Sequence, residues 1–449
     1  MSPSERVLFV LLIMAYLIIG ALFAVRTPAW QAPDEPAHYN YVAQVTTNGC
    51  CPVLEVGDWN SVYLDNLKAV RFRPDTLGDL ATIQYEDHQP PLYYLLESVV
   101  FRLTNGSLIA LRLFSVILGA GVVAGTYAVG KALLPKYPQI ALGAAAFVAF
   151  LPQHIAMLAA VENDALAELI VAMTLWAMIV YLKSERIKAW QLGMLVGLGL
   201  LTKVDTLFLA GLVPLAILLK WWIKGRSLGA QGLAPLLREG ILFALPALIL
   251  GGIWWLRDLS VYGFPDIFGL GRHNLVVVGQ LRTADYIAQL GVGQYLRSGL
   301  ETTFDSFWGQ FGWMALPLSN GIYTIILIFL GITGIGLIIG VIRRLTPEAD
   351  HSAQRSAWAI LSLTALLAVL QYLYYNSEFV QFQGRYMYPG LIPLGLWIAL
   401  GLDGWRRLIF SGDNQGRNML HPYVGVAVIA LLIPLDLYLV WRVIPGLAP

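Results

Sequence analysis

The sequence predicts an all-α polytopic membrane protein, a bundle of about eleven transmembrane helices with two large outer loops that carry short interfacial helices. Of its 449 residues, 57% are hydrophobic and only 13% charged, where a soluble domain carries about 25% charged residues. Apolar runs of roughly 20 residues, the length that lets a helix cross a bilayer, recur along the whole chain. Basic clusters fall at alternate ends of these runs, as they do when positive charge stays on the cytoplasmic side. A net charge of +1 argues against a nucleic-acid partner.

The first span runs from about Val7 to Val25. It is too long for a signal-peptide core and lacks a small-residue cleavage site, so it reads as a true span. The loop from Arg26 to Pro90 is rich in acids and poor in bases, which places it outside. It should hold interfacial helices over Glu35–Thr46 and Ser61–Val70. Its neighbours Cys50 and Cys51 are the only cysteines, either free or bonded to each other. Pro91 to Leu103 has a helical pattern but is too short to span comfortably, so it reads as interfacial or re-entrant. If it crosses, the count rises to twelve or thirteen.

Spans two to four cover about Ser107–Ala132, Gln139–Leu158 and Ala165–Leu182. Lys131, Lys136, Lys183, Arg186 and Lys188 mark their inner ends. Two shorter spans meet at Leu201–Asp205, and the second descends to Lys220, Lys224 and Arg226. Span seven, Glu239–Trp255, rises into the second outer loop, residues 257–317. Span eight, Asn320–Val341, ends at Arg343 and Arg344. Span nine, Ala357–Tyr375, leads to the short outer loop 376–386. Span ten falls to Asp403, Arg406 and Arg407, and span eleven covers Tyr423–Val440. The chain reads as one transmembrane domain over residues 1–449, without repeats or low-complexity tracts.

Read by side, the polar residues gather outside. Asp34 and Glu35 lie just beyond span one, between Pro33 and Pro36, which stiffen the loop. Asp34 could simply cap the helix that follows. A cap does not account for Glu35, His38, His88, Gln89, Glu162, Asn163, Asp164, Arg257, Gln310, Gln383 and Arg385 on the same face. Ionisable groups near bilayer depth are costly and mark sites. Carboxylates that accept a proton beside Arg, Lys and His that hold phosphate suit a lipid-phosphate substrate. Taken singly, each has a plainer reading: Arg385 as a snorkelling anchor, Glu162-Asn163-Asp164 as a helix cap, Lys203 as a partner of free carbonyls.

Several stretches resemble the GT-C glycosyltransferases. A carboxylate pair follows span one, then come His88-Gln89-Pro90-Pro91-Leu92-Tyr93-Tyr94 and Ala110-Leu111-Arg112-Leu113-Phe114-Ser115. Protein O-mannosyltransferases and aminoarabinose transferases show similar punctuation. Pro33-Asp34-Glu35-Pro36-Ala37-His38, Ser306-Phe307-Trp308-Gly309-Gln310-Phe311-Gly312-Trp313, Gln383-Gly384-Arg385-Tyr386-Met387-Tyr388-Pro389 and Trp255-Leu256-Arg257-Asp258 resemble a branch of predicted membrane proteins of unknown function within that superfamily.

The resemblance implies a GT-C-like bundle that transfers a sugar from a polyprenyl-phosphate donor to a glycan, lipid or protein acceptor. The reaction would occur at the outer face of a prokaryotic inner or plasma membrane, with membrane lipids as partners. It maps the acceptor carboxylate to Asp34, with Glu35 beside it, in the loop 26–90. The position before Pro-Pro-Leu, where relatives carry Lys or His, is Gln89 here. His88, Arg385, Arg257 and Lys203 then become the candidate donor-phosphate ligands. His38, Gln89, Tyr93, Glu162, Asn163, Asp164, Trp308, Gln310, Gln383 and Tyr386 line the expected substrate pocket. This reading fixes no cofactor and leaves a divalent metal open. A divalent metal on Asp34, Glu35 and His38 is secondary, since some GT-C branches use one and others do not. A lipid-linked-sugar transporter or flippase is the alternative; it should show inverted repeats and charges at mid-depth.

Overall fold

The computed structural model describes residues 1–225, 230–343, 352–410 and 421–449. Arg226 and Arg344, expected at inner span ends, lie outside the described residues. The chain folds into helices almost throughout. In order they are α1 (Pro3–Arg26), α2 (Glu35–Asn48), α3 (Ser61–Ala69), α4 (Leu92–Thr104), α5 (Leu108–Leu133), α6 (Pro138–Phe150), α7 (Pro152–Leu158), α8 (Asp164–Lys183) and α9 (Ala189–Leu200). There follow α10 (Phe208–Ile223), α11 (Ala230–Tyr262), α12 (Leu270–Val276), α13 (Thr283–Trp308), α14 (Asn320–Ile342), α15 (Ser352–Glu378), α16 (Leu391–Ile409), α17 (Val424–Ile429) and α18 (Leu432–Tyr438). Among the described residues one two-stranded sheet occurs, β1 (Gln310–Phe311) antiparallel to β2 (Leu316–Pro317).

Eight helices among the described residues are long and apolar enough to cross a membrane, or nine if α6 and α7 form one bent span. The sequence reading expected about eleven, and three elements make the difference. Pro152 follows Leu151 and bends α6 from α7 by 67°, since a proline excludes the preceding residue from the helical region. Helix α9 has 12 residues and a length of about 18 Å, short of a hydrocarbon core. Helix α16 has 19 residues but carries Asp403, Arg406 and Arg407. Helix α4, with 13 residues, is short as expected and packs on α2.

Two apolar cores hold the bundle. One joins α1, α5, α6 and the end of α13 to α14, α16 and the C-terminal helices. The other joins α8, α9, α10, α11 and α15. Helices α14 and α16 meet at glycines: a Cβ on Gly404 would fall 2.2 Å from the Gly336 carbonyl. Small residues let membrane helices approach this closely. Away from the cores, Leu11 and Ile18 of α1 and Ile325, Ile328 and Ile335 of α14 stand exposed, as lipid-facing residues do.

The two ends of the bundle differ in charge. At one end Lys131 pairs with Glu5 at 2.8 Å, Lys183 donates to the Ala132 carbonyl, Lys220 to the Ser184 carbonyl, and Arg407 lies over Tyr137. The expected inner clusters therefore share one end. The last turn of α1, the starts of α2, α5 and α8, and the turn after α9 meet at the other.

Candidate active site

Asp34 occupies the position just before α2, with φ of 64°. That left-handed conformation is one Asp tolerates better than most residues. Its side chain makes no capping bond, so the capping reading does not hold. Instead Oδ1 accepts from the Tyr85 hydroxyl at 2.7 Å and Oδ2 from Arg385 Nη2 at 2.5 Å.

Arg385 reaches this point because its loop is pressed against the end of α13. The Gly384 N–H donates to Ser306 Oγ at 2.8 Å, and a Cβ on Gly384 would lie 2.5 Å from the Phe307 backbone. Only glycine fits there. The guanidinium also donates from Nη1 to Glu162 Oε1 at 2.8 Å and from Nε to Gln383 Oε1 at 2.7 Å. One arginine thus holds carboxylates from the first loop and from the α7–α8 connection. Two residues beyond Glu162, Asp164 accepts from Lys203 Nζ at 2.5 Å. Of the two carboxylates on Arg385, Asp34 is the open one, its side chain 24% exposed against 3% for Glu162, while the arginine is 6% and Asp164 29% exposed.

These groups differ in their proton affinity for physical reasons. Burial alone would raise the Asp34 carboxyl, but the Arg385 charge and the Tyr85 hydrogen bond outweigh it and hold Asp34 below the usual carboxylate range. Glu162 shares the same guanidinium yet is raised well above its ordinary value. Its deeper burial and the nearby Asp164 charge overcome Arg385. Burial disfavours the Lys203 ammonium, but Asp164 and Asp205 more than restore it, so its affinity for the proton is raised.

The other expected residues divide between this cluster and its supports. Gln383 joins the cluster through Arg385, and Tyr386 lies beside the guanidinium, 5.5 Å from its centre. Asn163 is buried beside the cluster, its Nδ2 donating to Gln89 Oε1 at 3.4 Å and to the Thr202 carbonyl at 3.3 Å. Tyr93 is fully buried, donating to Glu97 and accepting from the Glu162 N–H at 3.0 Å. Trp308 packs in the core against Phe147 and Phe304. Gln310 is tied to Gln153 and to the Met314 carbonyl.

Glu35 does not face the cluster. It is fully buried and takes a two-pronged grip from Arg112, Nε to Oε1 at 2.7 Å and Nη2 to Oε2 at 2.6 Å. The N–H groups of Trp30 and Val161 also donate to it. His38 bonds the Tyr94 hydroxyl at 2.8 Å, and burial depresses its protonation. Asp34, Glu35 and His38 therefore do not converge as a metal-ligand set, and no group of three ligating side chains occurs among the described residues. His88 lies against the His273 ring at 4.6 Å, tilted by 46°, and burial and that neighbour keep it far below its ordinary value. A neutral imidazole is a poor holder of phosphate charge. Arg257 is engaged by Asp258 at 2.9 Å, by the Tyr262 hydroxyl and by the Cys51 and Pro52 carbonyls. Cys50 and Cys51 are bonded to each other.

Those Arg257 contacts belong to a broader joint between the two large loops. Trp59 donates to the Val278 carbonyl at 2.8 Å, Arg272 to the Leu54 carbonyl at 2.9 Å, and Trp313 to the Trp30 carbonyl at 3.0 Å. Ala37, Phe72, Tyr85, Val277 and Trp313 pack together beneath. Reasoning from sequence missed Tyr85 and Arg112 as site residues. An arginine within an apolar span was the available signal for Arg112. Tyr85 stood in a polar run with nothing to single it out.

The first loop also carries a proton-linked group. Asp87 is 1% exposed and has one oxygen bonded to Gln44 and the other without a hydrogen-bond partner among the described residues. Burial pushes its carboxyl up to about 8. In the unfolded chain it ionises near pH 4, so between about pH 4 and 8 the fold retains a proton that the unfolded chain releases. Its contribution to stability therefore falls as pH rises through that window. Thermal unfolding at about pH 5 and 8 should show a smaller decline for Asp87→Asn than for the wild type.

The sequence over residues 88–250 matches the family described as dolichyl-phosphate-mannose-protein mannosyltransferase. No protein with a curated description matches the chain. Among solved structures, ArnT from Cupriavidus metallidurans bound to undecaprenyl phosphate superposes with a TM-score of 0.52 at 14% identity, over 100% of this chain and 74% of that one. The apo form of the same protein gives 0.51 at 14% identity, over 98% and 73%. At that identity the likeness speaks for the fold alone. Together with the family match, it identifies the chain as a polytopic membrane protein of the GT-C fold that resembles the glycosyltransferases of that superfamily.

Proposed function

We propose that this protein transfers a sugar from a polyprenyl-phosphate donor to an acceptor hydroxyl at the extracytoplasmic face, in one inverting displacement. The observation that carries the reading is the open carboxylate of Asp34 held against the Arg385 guanidinium. The basic residues at the far end of the bundle support the choice of face. The ArnT structure with bound undecaprenyl phosphate supports the donor class.

In this mechanism Asp34 takes the acceptor's hydroxyl proton. The hydroxyl oxygen forms its bond to the anomeric carbon as the carbon–oxygen bond to phosphate breaks. Polyprenyl phosphate leaves with the electron pair, and its charge is met by Arg385 and Lys203. As the guanidinium turns to phosphate, its hold on Asp34 weakens and the carboxylate becomes a stronger base. Glu162 and Gln383 keep Arg385 aimed. Glu35 is assigned a structural part, and the loop joint carries the acceptor side.

Purified protein given polyprenyl-phosphate sugars tests the reading. Arg385→Lys keeps the charge but not the fork that grips phosphate with two parallel bonds. Transfer at low donor should fall roughly tenfold or more with Arg385→Lys, and about 10²–10³-fold with Arg385→Ala. If Arg385→Lys shows unchanged donor affinity and rate, the phosphate lies elsewhere and Lys203 is next.

A further inference from the structure

A cavity of about 390 Å³ opens at the end of the bundle opposite Asp34, between α8, α10 and the first turns of α11. Helix α8 runs from Asp164 to Lys183, which separates the two places by roughly 30 Å. Lys220 reaches the cavity from the last turn of α10, with its side chain 8% exposed. Its ammonium lies 3.8 Å from the centre of the Tyr181 ring and donates to the Ser184 carbonyl at 3.1 Å. Lys224 stands at the rim, and Arg238 of α11 is exposed, with no ion pair among the described residues.

Two carboxylates share the cavity. Glu239 accepts from the Tyr181 hydroxyl at 3.1 Å. Glu185 bridges Lys220 at 3.5 Å and Lys224 at 2.7 Å, but its side chain is 62% exposed. An ion pair on so exposed a carboxylate contributes little, so a phosphate oxygen can replace it cheaply. Leu218 and Trp222 of α10 and Leu237 and Ile241 of α11, on the two helices that line the cavity, have exposed apolar side chains. Cationic heads at span ends with an apolar ridge beside them match a headgroup and its acyl chains.

We propose that this cleft binds the phosphate of an anionic glycerophospholipid through Lys220, Lys224 and Arg238, with the acyl chains along the ridge of Leu237 and Ile241. The site stands apart from the Asp34 chemistry and does not depend on it. The occupant's phosphate displaces Glu185 from the two lysines, and the Tyr181 ring supports the buried ammonium from below.

The full-length protein, reconstituted with mixtures of phosphatidylglycerol and phosphatidylcholine and then extracted, is assayed for retained lipid. The wild type should retain phosphatidylglycerol selectively. Lys224→Gln with Arg238→Gln, both at exposed positions, should lower that retention at least roughly tenfold, since each basic residue near the surface adds about a factor of five. Lys136→Gln with Arg186→Gln, at the same end but outside the cleft, should leave it unchanged. Equal loss in the two double variants would reduce the effect to a general surface charge and overturn the site. Inorganic phosphate that displaces the lipid at millimolar concentration would also overturn it, by making a soluble phosphate the ligand. Size-exclusion profiles of each variant separate lost binding from lost folding.

Discussion

Asp34→Asn should lower sugar transfer at least about 100-fold, the usual scale of a lost general base, while the protein keeps its fold. The substitution preserves volume, and the amide oxygen can still accept from the Tyr85 hydroxyl. No helix cap is lost, because Asp34 supplies none. What disappears is the negative charge, both as proton acceptor and as partner of Arg385. Transfer rate with saturating donor, measured beside a melting curve, separates these effects. Near-normal turnover in a well-folded Asp34→Asn protein would remove the carboxylate from the mechanism.

The second large effect is on stability, with activity following it. Arg112 and Glu35 form a fully buried pair, 2% and 0% exposed. Removing one partner from such a pair leaves an uncompensated charge and costs about 3–5 kcal/mol. Arg112→Met should therefore melt far below the wild type, and it should also free the carbonyls of Ala24, Thr27 and Pro28. Arg112→Met with Glu35→Met should recover part of that loss, because a well-packed apolar pair often replaces a buried ion pair without penalty. Glu35→Gln should lower stability and activity together. A Glu35→Gln protein with a native melting temperature and no transfer would return the chemical role to Glu35.

Charge and hydropathy made the membrane class, the short α4 and the gathering of bases at one end legible in the sequence. Periodicity could not count the spans, because Pro152 bends a segment whose composition is continuous across the break, α9 is too short to cross and α16 carries three charges. At the site, Asp34, Glu162 and Arg385 were visible as costly charges beside apolar segments, though 351 residues separate Asp34 from Arg385. Neighbourhood in sequence misled in two places. Glu35 adjoins Asp34 but points to the other side of the helix start, into Arg112. His88 and Arg257 read as cations facing a ligand, yet one is neutral by burial and the other is engaged by the first loop. Tyr85 lay hidden because a hydroxyl that orients a carboxylate leaves no compositional trace.

The Arg112 clamp also constrains how the protein can be made. Arg112 lies in the first turns of α5, and an arginine in an isolated apolar helix raises the cost of insertion, by up to about 2.5–3.5 kcal/mol at the helix centre. Every side-chain or carbonyl partner that Arg112 meets, from Ala24 to Glu35, precedes it in the chain. The ribosome therefore delivers the acceptors before the donor. When α5 reaches the membrane, α1 and the start of α2 already offer a charge and three carbonyls at the level where Arg112 must rest. The last turn of α1 and the start of α2 thus serve as a receptor for the next span.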